Sequence, residues 1–183
     1  ALFEKQHNRW VPTSWEEFYQ SAAAVAKGLL DLGLKRGDRV AILGATRGAW
    51  GVYDMGCQLA GLVSLGIYPK QAPQQIKYLI DHSDARALFV DSVEELDNVL
   101  RGVGSCRKLK AIVPWDSTLY SEAKSRSKRL VDPATFRKDP LPAETIESIQ
   151  SSIDPDETAI FIYTSGTTGP PKGAMISHRN ILT

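Results

Sequence analysis

The sequence lacks the features that mark several classes of protein. Cys57 and Cys106 are the two cysteines of 183 residues, too few for a disulfide framework and without the spacing of a metal site. We therefore interpret them as reduced thiols of a cytosolic protein. The most apolar stretch, 56–68, is interrupted by Gln58 and Ser64 and falls short of the roughly 18 apolar residues that span a membrane.

Charge and composition exclude further classes. The chain has 22 Lys plus Arg and 21 Asp plus Glu, so its net charge of +1 gives no basic footprint for nucleic acid. Its 14 glycines and 10 prolines are close to average numbers, which excludes collagen-like and low-complexity chains. The sequence begins at Ala1 without an initiator Met or a signal-peptide pattern, and it ends at Thr183 just after a predicted helix start. We therefore expect a piece of a longer protein.

Apolar runs of strand length alternate with amphipathic helical patterns between residues 14 and 113. Buried strands are predicted at 40–43, 62–67, 87–90 and 111–113. Helix starts are predicted by the capping-box pairs Ser14/Glu17 and Ser92/Glu95, by Pro73 at a first turn, and by an apolar helical segment at 49–60. This alternation predicts an α/β fold with a mostly parallel sheet covered by helices. Ligands of such sheets bind at the carboxyl ends of the strands.

A polar segment at 114–156 differs from the rest of the chain. It has weak helical periodicity and carries a cluster of six basic residues: Lys124, Arg126, Lys128, Arg129, Arg137 and Lys138. Such a cluster is usually a solvated face. The alternative interpretation is contact with an anionic membrane surface or partner.

The strongest signal follows a β-prone run at 158–163. Residues 164–173 read TSGTTGPPKG, with four hydroxyl side chains, three glycines and one lysine. Glycines let several backbone N–H groups face one point, hydroxyls add hydrogen-bond donors, and a lysine adds a positive charge for a polyphosphate. A Walker A loop is excluded, because Pro171 precedes Lys172 where that motif needs Gly.

The motif TSGTTGPPKG resembles the phosphate-binding signature of the adenylate-forming (AMP-binding) superfamily. The flanks, Tyr163 before it and Gly173 through Asn180 after it, resemble the long-chain fatty acid–CoA ligase branch. The resemblance implies that 1–183 is the N-terminal portion of a large adenylating domain. By similarity, the ATP phosphates are held by Thr164, Ser165, Gly166, Thr167, Thr168, Gly169 and Lys172.

The resemblance also implies a two-step ligase that joins a fatty acid to coenzyme A through an acyl-adenylate. Partners would be fatty acid, ATP and CoA, with no nucleic acid. No catalytic residue or metal ligand is expected in this chain, and the Mg²⁺ ligands are expected downstream, so the piece alone would be inactive. The implied location is the cytoplasm, with peripheral membrane contact and oligomerisation left open. The alternatives are an acyl–carrier-protein ligase, another adenylating enzyme, or a non-catalytic nucleotide- or partner-binding module.

Two further expectations concern the neighbourhood of the motif. No partner of His82 is evident from the sequence, so we interpret it as a surface or structural residue. We also expect the strand at 158–163 to lack its pairing strands, which would leave an exposed apolar edge.

Overall fold

A computed structural model describes residues 2–6, 8–164 and 169–183. The strands are β1 (Leu2–Gln6), β2 (Arg9–Thr13), β3 (Arg39–Leu43), β4 (Val63–Ile67), β5 (Ala85–Val90), β6 (Ala111–Pro114), β7 (Thr158–Thr164) and β8 (Lys172–Ser177). The α-helices are α1 (Trp15–Asp31), α2 (Gly48–Leu59), α3 (Pro73–Ser83), α4 (Val93–Gly102), α5 (Ser117–Ala123), α6 (Ala143–Ser152) and α7 (His178–Leu182). No helix in these described ranges has the length and apolarity needed to cross a membrane.

Six strands form the main sheet in the order β6-β5-β3-β4-β7-β8. The first five run parallel, and β8 is antiparallel to β7. The predicted fold class, a mostly parallel sheet covered by helices, is therefore confirmed. Because the parallel strands share one direction, their carboxyl ends lie along one edge of the sheet, where the predicted phosphate motif follows β7.

Strands β3, β4, β5 and β6 are buried on both faces, which explains why they read as continuous apolar runs. In β3, Val40 and Ile42 belong to the core on the α1–α2 side, whereas Ala41 and Leu43 belong to the core on the α3–α4 side. This division follows from the alternation of side chains along a strand. Phe89 of β5 anchors the first core by stacking on Tyr53, with the ring centroids 4.1 Å apart.

Several elements were not predicted. An antiparallel hairpin of β1 and β2 precedes α1 and forms a separate two-stranded sheet. Strand β8 begins at Lys172, inside the segment interpreted as a loop, and pairs with β7. The expectation of an unpaired edge at β7 was therefore wrong, because β7 lies between β4 and β8. The polar segment 114–156 contains α5, α6 and short 3₁₀ turns.

Candidate functional site

The predicted phosphate motif spans the connection between β7 and β8. Thr164 is the last residue of β7 and pairs in register with Lys172, the first residue of β8. Both side chains are exposed, and Gly169 lies between them in sequence. The predicted site residues Ser165, Gly166, Thr167 and Thr168 lie outside the described residues. The structure thus brings the hydroxyl of Thr164 and the ammonium-bearing Lys172 to paired positions at the carboxyl end of β7.

Two glycines of the motif meet local backbone requirements. Gly169 has φ +96°, a conformation that L side chains rarely adopt. Gly173 lies opposite Tyr163 in the β7–β8 ladder, and a Cβ atom built there would be 3.1 Å from Cζ of the tyrosine ring. Glycine at 173 therefore lets the Tyr163 ring lie across β8. These two positions need glycine for the shape of the hairpin itself.

A mostly apolar cavity of about 410 Å³ lies beside this hairpin at the carboxyl edge of the sheet. Its walls come from the residues that end or follow β3, β4 and β7, among them Thr46, Tyr68 and Tyr163. Such a volume lies within the range of pockets that bind small molecules. The cavity and the phosphate motif are thus adjacent parts of one candidate site.

Asp91, which follows β5, fixes the wall formed after β3. Its carboxylate accepts a hydrogen bond from the backbone N–H of Ala45 at 2.8 Å and forms an ion pair with Arg47 at 2.9 Å. The Arg47 guanidinium also lies 5.3 Å from the ring centroid of Trp115. Arg47 therefore has a structural position, packed between an acid and an aromatic ring.

Glu95 fixes the wall formed after β4. The sequence pattern predicted a capping box, and the Ser92 hydroxyl does accept a hydrogen bond from the N–H of Glu95 at 3.3 Å. The Glu95 carboxylate, however, accepts a bond from the backbone N–H of Lys70 at 2.6 Å. Lys70 has φ +64°, and Glu95 is 3% exposed. The buried carboxylate thus holds the turn after Tyr68 in a left-handed conformation.

His82 has a partner that the sequence did not indicate. Its Nδ1 atom lies 2.8 Å from the hydroxyl of Tyr163, the residue before the motif. Tyr78, one helical turn earlier on α3, donates a hydrogen bond to the carbonyl of Pro171 at 2.9 Å. Helix α3 therefore contacts the end of β7 and the residue that precedes β8.

The two cysteines do not offer a nucleophile to this site. Burial raises the pKa of the Cys57 thiol well above its usual value. Burial, followed by a hydrogen bond to Asp81, raises the pKa of Cys106 to about 11. Both thiols are thus protonated at neutral pH, and the thiolate is the reactive form.

Half of the basic cluster in the polar segment is engaged within the chain. Arg126 forms an ion pair with Asp97 at 2.6 Å, Arg129 donates to the carbonyl of Val103, and Arg137 donates to the carbonyl of Trp115. These contacts give three of the six basic residues structural roles. Lys124, Lys128 and Lys138 are exposed.

Several long-chain-fatty-acid–CoA ligases match nearly all of this chain. Long-chain-fatty-acid–CoA ligase ACSBG2 of Xenopus laevis is 34% identical over 184 aligned positions, which cover 99% of this chain and 24% of that protein. Long-chain-fatty-acid–CoA ligase ACSBG1 of Homo sapiens is 32% identical over 186 aligned positions, which cover 99% of this chain and 25% of that protein. The chain thus spans about a quarter of the length of these relatives.

Solved structures share the fold. The anthranilate CoA ligase AuaEII in complex with anthranoyl-AMP superposes with a TM-score of 0.76 at 22% identity, over 94% of this chain and 30% of that one. A Mycobacterium tuberculosis fatty acyl CoA synthetase superposes with a TM-score of 0.70 at 18% identity, over 92% of this chain and 30% of that one. The family described as AMP-binding enzyme matches residues 1–183. With its sequence matched from end to end and the fold in agreement, the chain belongs to the AMP-binding enzyme family.

Proposed function

We propose that this chain is the N-terminal portion of an ATP-dependent long-chain fatty acid–CoA ligase. One observation carries the proposal: relatives named as such ligases match 99% of the chain at 32–34% identity. The position of the motif supports it, because TSGTTGPPKG connects β7 and β8 beside a cavity at the carboxyl edge of the sheet.

The proposed reaction has two steps. In the first, a carboxylate oxygen of the fatty acid attacks the α-phosphorus of ATP, the bond to the bridging β-oxygen breaks, and pyrophosphate leaves. In the second, the CoA thiolate attacks the acyl carbon, and the bond to the AMP oxygen breaks to release AMP and the thioester. The first step converts a carboxylate oxygen, a poor leaving group, into part of AMP, a good one.

The residues of this chain would serve the first step by binding the phosphates. The lysine ammonium at 172 would neutralise negative charge on the β- and γ-phosphates as pyrophosphate forms. The hydroxyl of Thr164 would donate to a phosphate oxygen, and we assign the same binding role to Ser165, Gly166, Thr167, Thr168 and Gly169. Positioning and charge stabilisation supply most of the catalysis in such transfers.

Mg²⁺ would accompany ATP in this reaction. Within residues 2–6, 8–164 and 169–183, no group of three or more His, Cys, Asp and Glu side chains is arranged to hold a metal ion. Mg²⁺ that accompanies a nucleotide is usually held by one or two carboxylates together with the phosphates, and we propose that those carboxylates lie elsewhere in the enzyme.

We place the enzyme in the cytoplasm. Cys57 and Cys106 are free and buried, as expected for a protein of a reducing compartment. Peripheral contact with an anionic membrane would use the exposed Lys124, Lys128 and Lys138. Cell fractionation of the wild type and of a variant with alanine at these three lysines would test both statements. If the protein is recovered in the membrane pellet and the alanine changes do not reduce that recovery, the proposed membrane contact is contradicted.

The function can be tested by measuring the two half-reactions separately in the full-length protein. We expect fatty acid-dependent exchange of labelled pyrophosphate into ATP, and acyl-CoA formation when CoA is added. Lys172→Ala should reduce the exchange about ten- to a hundredfold, since a charge-assisted hydrogen bond contributes roughly 1.5–3 kcal/mol. Conversion of supplied acyl-adenylate to acyl-CoA should change far less, because the β- and γ-phosphates have left.

Controls separate the alternatives. Lys110→Ala removes an exposed lysine before β6, at the opposite edge of the sheet, and should leave both half-reactions unchanged. Pyrophosphate exchange together with transfer of the acyl group to a carrier protein instead of CoA would identify a carrier-protein ligase. ATP binding without any exchange would indicate a binding module. The 183-residue chain by itself should form no acyl-CoA. If it does form acyl-CoA, and Lys172→Ala abolishes this activity, that expectation is wrong.

A further inference from the structure

Helix α3 presents two side chains to the hairpin that carries the phosphate motif. Tyr78 and His82 are four residues apart and therefore lie on the same helix face. Their rings are in contact, with centroids 5.2 Å apart. The opposite face of α3 is buried in the core through Ile76, Leu79 and Ile80. The helix is thus fixed to the sheet on one side and contacts the β7–β8 hairpin on the other.

The first contact anchors β8 next to the motif lysine. The Tyr78 hydroxyl donates a hydrogen bond to the carbonyl oxygen of Pro171 at 2.9 Å. Proline has no backbone N–H, so this carbonyl is its one polar group for hydrogen bonding. Lys172 follows immediately in the chain, and its backbone position is therefore tied to α3 through one peptide unit.

The second contact anchors β7 next to the motif threonine. His82 Nδ1 lies 2.8 Å from the Tyr163 hydroxyl, and the two ring centroids are 5.7 Å apart. The hydroxyl can donate to an unprotonated Nδ1 or accept from Nδ1–H, so either form of the imidazole maintains the bond. Thr164 follows Tyr163 directly. Gly173, across the ladder, leaves the space in which the tyrosine ring lies.

We propose that Tyr78 and His82 are positioning residues that hold the two arms of the phosphate hairpin against α3. They thereby set where Thr164 and Lys172 meet the phosphates of ATP. Anchoring both arms matters because a displacement of about 1 Å at a reacting centre can reduce a rate about a hundredfold. This inference rests on the proposed function, and it adds residues outside the motif to the determinants of ATP use.

The test uses the full-length protein with four single variants at the two contacts, one double variant and one control. Tyr78→Phe removes one hydroxyl and preserves the ring that packs on His82. His82→Ala removes the second contact, whereas His82→Asn places a hydrogen-bonding atom near the position of Nδ1. Tyr163→Phe removes the partner hydroxyl. Tyr120→Phe, on α5 at the β6 side of the sheet, is the matched control for loss of a tyrosine hydroxyl.

We expect Tyr78→Phe and His82→Ala each to raise the KM for ATP in pyrophosphate exchange about two- to tenfold, the range for loss of one hydrogen bond. The conversion of supplied acyl-adenylate to acyl-CoA should stay within twofold of wild type. His82→Asn should recover most of the lost affinity. The double variant His82→Ala/Tyr163→Phe should be no worse than the more impaired single variant, because both changes remove the same contact.

Several outcomes would overturn the proposal. An unchanged KM for ATP in both Tyr78→Phe and His82→Ala would show that the contacts do not position the hairpin. Equal loss in both half-reactions, together with a lower Tm, would show a structural role only. If wild type shows no exchange with any fatty acid, the proposed function fails by itself. The positioning role of Tyr78 and His82 is then judged by the Kd for ATP from calorimetry. An unchanged Kd in both Tyr78→Phe and His82→Ala refutes that role.

Discussion

Helices α1 and α2 pack closely at a glycine, and this contact yields a prediction with an internal control. Gly56 of α2 is buried, and a Cβ atom built there would lie 2.5 Å from Cγ1 of Val25 and 3.0 Å from the carbonyl oxygen of Ala22, both on α1. Gly51, also on α2, would place its Cβ 3.7 Å from the Phe18 ring, an ordinary van der Waals contact. Replacement of glycine by alanine should therefore raise the free energy of unfolding at position 51 and lower it at position 56.

The magnitudes follow from two opposing contributions. Alanine in place of glycine in a helix stabilises by roughly 0.5–1 kcal/mol, and Gly51→Ala should gain about this amount. At Gly56 the same gain applies, but the methyl group overlaps backbone and a β-branched side chain that cannot rotate away. Overpacking of this kind costs about 1–3 kcal/mol, so Gly56→Ala should be destabilising by up to about 2.5 kcal/mol in net terms.

The measurement is urea unfolding of the chain followed by circular dichroism, with thermal unfolding as a second readout. For a chain of this size, 1 kcal/mol corresponds to a shift in Tm of about 2–4 °C. Gly51→Ala should raise the midpoint and Gly56→Ala should lower it, with equal m-values. A Gly56→Ala variant as stable as Gly51→Ala would refute the close packing of α1 on α2 at this point.

Two further predictions concern titratable groups. Burial raises the pKa of Asp54, whose Oδ1 accepts a hydrogen bond from Ser64 at 2.5 Å. The folded protein therefore becomes less stable as the pH rises from 3.8, the ordinary pKa, through the raised pKa of the folded state. Asp54→Asn should therefore raise the Tm at pH 7 and leave it unchanged below about pH 3.8; a lower Tm at pH 7 would contradict this. For Cys106, whose pKa is about 11, alkylation by iodoacetamide at pH 8 should be at least about a hundredfold slower in the folded chain than in urea. Equal rates in the two states, resolved by mass spectrometry of the Cys106 peptide, would disprove it.

Several elements of this protein are set by interactions between residues close in sequence, so the sequence by itself predicts them. Strands such as β3 are recognisable because both of their faces are buried, which requires continuous apolar runs. The start of α1 is recognisable because both bonds of its capping box join Ser14 and Glu17, three residues apart. The phosphate motif is equally local, since its hydroxyls, glycines and lysine lie within ten consecutive residues. Its binding role remains a prediction.

Only the tertiary structure decided the features that depend on distant contacts. Residues 172–177 read KGAMIS, a mixed pattern that does not indicate a strand, and β8 forms because β7 supplies the partner strand. Glu95 matches a local capping box, yet its carboxylate binds Lys70, 25 residues away in sequence. His82 and Tyr163 are 81 residues apart and meet because α3 packs beside β7. Such contacts depend on the path of the whole chain, which no local pattern specifies.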